Sequence, residues 1–138
     1  MKELIKQITE KYNTRSPVQI AELMEIEVIY EPLGMINGYY QTGYRSKLIH
    51  VNCDLPKHMQ SLVLAHELGH AILHGNTNTP FLKKNTLFIV DKMEIEADKF
   101  AVELLISDEE LSEYKGYTIQ QLAMIFGYPE ELIKLRLK

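Results

Sequence analysis

Cysteine is nearly absent. Cys53 stands alone among 138 residues, so no disulfide can close within the chain, and a reducing compartment is its natural home. Long apolar runs are missing as well: none approaches the roughly 20 residues needed to span a bilayer. The amphipathic opening MKELIKQITEKYN has no apolar stretch of the signal-peptide kind. A cytoplasmic protein without membrane contact is therefore expected. Excess positive charge is lacking too. Fifteen Lys and Arg against nineteen Asp and Glu leave a formal charge of −4, which offers nucleic acid or anionic lipid no general attraction. Proline and glycine never gather into a linker, and no repeat or low-complexity tract occurs. One domain over residues 1–138 is the expectation.

What is present suits a globular core, since 46% of the residues are hydrophobic and 25% charged. The apolar stripe Leu4, Ile5, Ile8 and Tyr12 predicts a helix over about 2–12. Ser16 reads as an N-cap with Pro17 behind it, opening a second helix that buries Ile20, Leu23 and Met24. Ile26–Tyr30, Met35–Gln41 and Lys47–Asn52 are β-rich and punctuated by glycine, which predicts three short strands in an antiparallel meander. Cys53 is expected as a small, half-buried strand residue, and the Lys47–Asn52 strand as an open edge that could accept an extended peptide.

A long helix is predicted from Pro56 to a left-handed cap at Gly75, followed by a loop over Asn76–Pro80. Phe81–Val90 reads as irregular or a short strand, and 91–105 as a helix. Ser107 with Glu110, and Thr118 with Gln121, read as two capping boxes. Gly127 stops one helix and Pro129 opens the last, so 118–138 forms a helix pair of helix-turn-helix type within the same domain. The fold class is α+β: a small three-stranded antiparallel sheet packed with about five to seven helices.

The chemistry concentrates in Leu64-Ala65-His66-Glu67-Leu68-Gly69-His70-Ala71-Ile72-Leu73, which contains the HExxH pattern. Histidines at i and i+4 share one helical face and can reach a single metal, while the glutamate between them points off that axis. No other charged residue lies between Gln60 and Gly75 apart from Glu67, so this helix is expected to be buried nearly all round. Two histidines and a glutamate in such surroundings need a partner, and a metal provides one. A catalytic zinc takes three protein ligands and keeps one position open. The third must come from Met93–Ala101. Glu94 shares a helical face with Ala97, Asp98, Ala101 and Leu104; Glu96 shares one with Lys99 and Glu103, which reads as solvated and able to pair Glu96 with Lys99. Glu94 is therefore the preferred ligand, with Asp98, one turn on, accepting a hydrogen bond from a ligating histidine.

The constellation HELGHAILH followed by EIEADKFAVELLIS resembles the ImmA/IrrE family of bacterial and phage zinc metallopeptidases. LIHVN ahead of the metal helix and the closing LAMIFGYPEELIKLRL are similar to that family as well. The resemblance implies zinc held by both HExxH histidines and by a glutamate four residues before an Asn or Asp, which carries onto His66, His70, Glu94 and Asp98. It also implies a regulatory protease that cuts helix-turn-helix repressors.

The expected chemistry is peptide hydrolysis with Glu67 as general base. Tyr39, Tyr40 and Tyr44 are the candidate oxyanion donors. His74, one further turn along, reads either as a residue behind the metal ligands or facing substrate, or, preferred, as a helix C-terminal histidine favoured by the dipole; His50 and His58 receive no role. Two other classes stay open. One is a DNA-binding regulator built on 118–138, whose last helix begins with Glu130 and Glu131 and offsets them only with Lys134, Arg136 and Lys138. The other is a zinc-binding module that recognises a repressor without cutting it.

Overall fold

The computed structural model describes residues 1–75 and 87–138. Helix α1 (Lys2–Tyr12) buries Ile5 and Ile8. Helix α2 (Pro17–Leu23) starts as read, with the Ser16 hydroxyl accepting from the Gln19 amide. Its buried face differs from the expectation: Ile20 and Ala21 are inside, whereas Leu23 is 58% exposed and Met24 only partly buried.

Three strands follow, β1 (Glu27–Glu31), β2 (Gly38–Gly43) and β3 (Ser46–Asn52). The sheet is mixed rather than antiparallel throughout. Strand directions alternate as in a meander, but the order is β1-β3-β2, so β1 pairs parallel with β3 while β2 pairs antiparallel with it. The cause lies in β3, where Ile49, His50, Val51 and Asn52 are buried in succession. A run buried on both faces belongs at the centre of a sheet. Asn52 helps hold the crossover, its amide donating to the carbonyls of Gly34 and Ile36. β3 is thus paired on both sides and presents no open edge, contrary to the expectation. Cys53, just past β3, is exposed rather than half-buried.

Helix α3 (Lys57–Leu73) carries the HExxH segment through the middle of the molecule. Residues 62–65 and 67–71 are all buried, as the absence of charge predicts. Gly75 does not take a left-handed conformation; the helix ends at His74, whose amide donates to the His70 carbonyl at 2.7 Å. The Asn76–Pro80 loop and the Phe81–Thr86 part of the irregular segment lie outside the described residues. Helix α4 spans Leu87–Leu105, so residues 87–90 are helical rather than irregular or strand.

α4 packs along α3 on one side and the sheet covers α3 on the other. The closeness of the α3–α4 pair depends on Gly69, where a β-carbon would stand 3.0 Å from the ring of Phe100. Helix α5 (Asp108–Ser112) is capped by Ser107, which accepts from the Glu110 amide. The Glu110 carboxylate meets the Ser107 hydroxyl rather than its amide, so that box is half formed. The box at Thr118–Gln121 is complete and opens α6 (Ile119–Phe126). Gly127, at φ +77°, ends α6 against the His58 ring, and α7 (Glu130–Leu137) closes the chain. Seven helices stand among the described residues, and none is long and apolar enough to cross a membrane.

Candidate metal centre

His66 and His70 leave α3 on the side facing α4, one turn apart. Across from them, α4 carries Glu94 and Asp98, also one turn apart. The two helices therefore set two imidazoles against two carboxylates. One Glu94 oxygen lies 2.8 Å from His70 Nε2 and the other 3.1 Å from His66 Nε2. Asp98 Oδ1 sits 2.7 Å from His66 Nδ1, which turns the Nε2 of that ring toward Glu94. Glu67, only 3% exposed, places Oε2 3.8 Å from His66 Nε2. The donor atoms of His66, Glu67 and His70 lie within 4.8 Å of one another, and Glu94 approaches the Nε2 pair more closely than Glu67 does.

The electrostatics of this cluster call for a cation. Burial would lower the His66 pKa, but hydrogen bonds to Asp98 and Glu94 and the nearby charge of Glu67 outweigh it and push the ring up to about 10. Two imidazoles, one carboxylate at bonding reach and a second carboxylate beside them match the N/O donor set of a four-coordinate zinc with one position left for water.

The Glu96 side chain is 42% exposed, in keeping with a solvated face, but it does not pair with Lys99. Lys99 instead pairs with Glu103 at 2.8 Å, and Glu103 is buried. Glu96 Oε1 lies 3.3 Å from His74 Nε2, and His74 Nδ1 lies 3.0 Å from His70 Nδ1. The His74 side chain is 7% exposed. Burial lowers its pKa, more than the Glu96 hydrogen bond raises it. Spacing along α3 places His74 at the helix end; its link to Glu96 arises only when α4 packs beside that end.

The three tyrosines separate. Tyr40 is fully buried beneath the sheet and its hydroxyl donates to the Gly75 carbonyl at 3.1 Å. Tyr44 occupies the exposed β2–β3 turn beside Arg45. Tyr39 stacks on His50, with ring centroids 4.3 Å apart, and lines a groove of about 760 Å³. That groove runs past His66, Glu67, Glu94 and Asp98, with Met35, Ile36, Met59, Leu62 and Val63 among its apolar walls. His50 is spanned by Glu31 and Gln41, and His58 is exposed near Gly127.

Two of the three cations of the last helix are engaged within the molecule. Arg136, counted in the sequence among three balancing cations, is 3% exposed; its Nε donates to the Ile106 carbonyl and a terminal nitrogen to Asp108. Lys134 pairs with Glu131.

Comparison with known proteins shows the family. Residues 21–138 match the IrrE N-terminal-like domain, a peptidase family model. Among curated proteins, the chain is 42% identical over 139 residues to immunity region protein 2 of Bacillus phage phi105, covering 99% of this chain and 88% of that protein. It is 31% identical over 135 residues to the metallopeptidase ImmA of Bacillus subtilis strain 168, covering 94% and 79% respectively. Among solved structures, a Mycobacterium tuberculosis transcriptional regulator shares the fold at TM-score 0.62 and 18% identity; the match takes in 99% of this chain but 45% of that one.

Proposed function

Since the chain belongs to the ImmA/IrrE family of metallopeptidases, we propose that it is a zinc-dependent endopeptidase that makes a site-specific cut in a helix-turn-helix repressor in the cytoplasm. The observation that carries the metal assignment is the Glu94 carboxylate, whose two oxygens stand 2.8 and 3.1 Å from the Nε2 atoms of His70 and His66. His66, His70 and Glu94 are the ligands, and Asp98 holds the His66 ring by accepting its Nδ1–H. Bound there, zinc supplies Lewis-acid polarisation of a scissile carbonyl and a lowered pKa for water, toward about 7.

Glu67 acts as general base. Its buried carboxylate lies beside the Nε2 pair without being the closest acid to it, so it can take a proton from an attacking water and hand it to the leaving amine. Tyr39 is the tyrosine positioned along the groove and is assigned the oxyanion contact. The apolar walls suit an extended peptide segment, and its delivery from a repressor is in keeping with the immunity-region name of the phage relative. Direct DNA binding is disfavoured by the burial of Arg136. No membrane contact is assigned.

The test is cleavage of a helix-turn-helix repressor encoded beside this gene, by wild type and by Glu67→Gln. Wild type should yield one discrete, chelator-sensitive product. Glu67→Gln should keep zinc and the circular dichroism spectrum while cleavage falls by about 10²–10⁴-fold, the usual contribution of a general base. Derepression that persists in Glu67→Gln would replace the protease with a binding module.

A further inference from the structure

Each metal-facing histidine has a second ring nitrogen that must be satisfied. For His66 the partner is direct: Asp98, at 2.7 Å. For His70 it is another histidine, with the two Nδ1 atoms 3.0 Å apart. Two like nitrogens at that distance can share only one proton, so one ring donates and the other accepts. Which is which depends on what His70 Nε2 faces: against the Glu94 carboxylate alone, 2.8 Å away, Nε2 carries the proton, whereas against a metal it cannot. A His70 that offers its Nε2 lone pair to a metal must carry its proton on Nδ1, making it the donor. His74 Nδ1 must then be bare, and its proton must sit on Nε2. There the acceptor is in place: Glu96 Oε1, at 3.3 Å. A carboxylate opposite a bare Nε2 would set two acceptors against each other, so Glu96 favours the one tautomer of His74 that suits His70.

We propose that His74 and Glu96 form a positioning relay for the metal site, in which Glu96 selects the Nε2–H tautomer of His74 and His74 in turn accepts the Nδ1–H of His70, aiming His70 Nε2 at the metal. The inference rests on the assignment of His66, His70 and Glu94 as ligands. It gives α4 three acids with separate tasks: Glu94 on the metal, Asp98 on His66, and Glu96 reaching His70 through His74. Neither relay residue touches the metal or substrate. Because carboxylates that orient ligating histidines also strengthen them as ligands, the effect falls on metal affinity first.

The experiment measures zinc affinity of the full chain by competition with a chromophoric chelator, alongside the melt of the metal-free chain and the ring-nitrogen NMR spectrum of the zinc-loaded chain. His74→Ala should weaken zinc binding by about 10–100-fold, the range typical of groups that orient a ligand. His74→Asn, whose Oδ1 stands where Nδ1 was, should recover most of that loss. Glu96→Ala, at the rim and safe for folding, should weaken binding severalfold, and Glu96→Gln should restore part of it. In the loaded wild type, His74 should carry its proton on Nε2 and none on Nδ1. A His74 protonated on Nδ1, or zinc affinity unchanged in both His74→Ala and Glu96→Ala, overturns the relay and leaves the ligand assignment standing. A wild-type chain that binds no zinc overturns the ligand assignment, and the relay with it. If His74→Ala does not fold, the Glu96 pair and the tautomer decide the matter alone.

Discussion

Phe100 lies so close to Gly69 that a β-carbon there would sit within 3.0–3.2 Å of three atoms of the Phe100 side chain. Phe100 is on α4, between the acids at 94–98 and the buried Val102 and Leu104, so this contact sets how near those acids come to the histidines of α3. Gly69→Ala gains helix propensity, up to about 1 kcal/mol, but forces Phe100 outward, and overpacking of this kind costs about 1–3 kcal/mol. A net loss of stability in urea melts is expected, together with weaker zinc binding. Gly69→Val should be worse on both. A variant that is more stable and binds zinc as well as wild type would show that the spacing of the two helices does not govern the site.

The acids of α4 should rank by their distance from the Nε2 pair. Glu94→Gln should abolish tight zinc binding, because it removes a ligand. Asp98→Ala should retain zinc with affinity reduced by about 10–100-fold, since it only orients His66. Metal titration of the two variants side by side reads this directly, and equal losses would contradict the assignment. For the chain as a whole, zinc affinity should fall on acidification, as protonated imidazole cannot ligate.

Tyr39 and Tyr40 should respond differently to loss of their hydroxyls. Tyr40→Phe removes a buried hydrogen bond that ties the sheet to the end of the metal helix, so it should lower stability by about 0.5–1.5 kcal/mol and leave turnover close to wild type. Tyr39→Phe should do the reverse, lowering turnover without a comparable loss in the melt. Steady-state cleavage and thermal denaturation of the pair separate the two roles.

Arg136 fastens the last helix to α4 and α5, and its removal leaves the buried Glu103 with less compensation. Arg136→Ala should destabilise the chain by about 3–5 kcal/mol, as for a broken buried pair. Its exposed partner gives a pH signature. Hydrogen bonds from Arg136 and then Lys2 hold the Asp108 carboxyl below its ordinary value. A lowered carboxylate pKa contributes stability above the unfolded value, of about 4, and loses it as pH falls through the folded one. With 69% of the Asp108 side chain exposed, the contribution is screened and should stay below about 1 kcal/mol. Asp108→Asn should flatten that part of the acid limb of the stability curve.

The amino-acid order by itself determined the local features. The i, i+4 spacing of His66 and His70, and of Glu94 and Asp98, places each pair on one helical face before any packing occurs. The Ser16 and Thr118 caps and the uncharged stretch around Glu67 likewise follow from neighbours along the chain. Only the tertiary structure decided relationships between distant segments. The parallel pairing of β1 with β3 required choosing which strand lies in the middle, and strand direction alone does not say. Arg136 reads as a cation on an exposed helix until Ile106 and Asp108 close over it. Glu96 lies on the side of α4 away from Glu94 and resembles a solvated residue in isolation. The end of α3 brings His74 to it, and helix periodicity describes one helix without its neighbour. The same limit applies to Gly69: its missing β-carbon is visible in the sequence, but the Phe100 ring that needs the space comes from 31 residues further on.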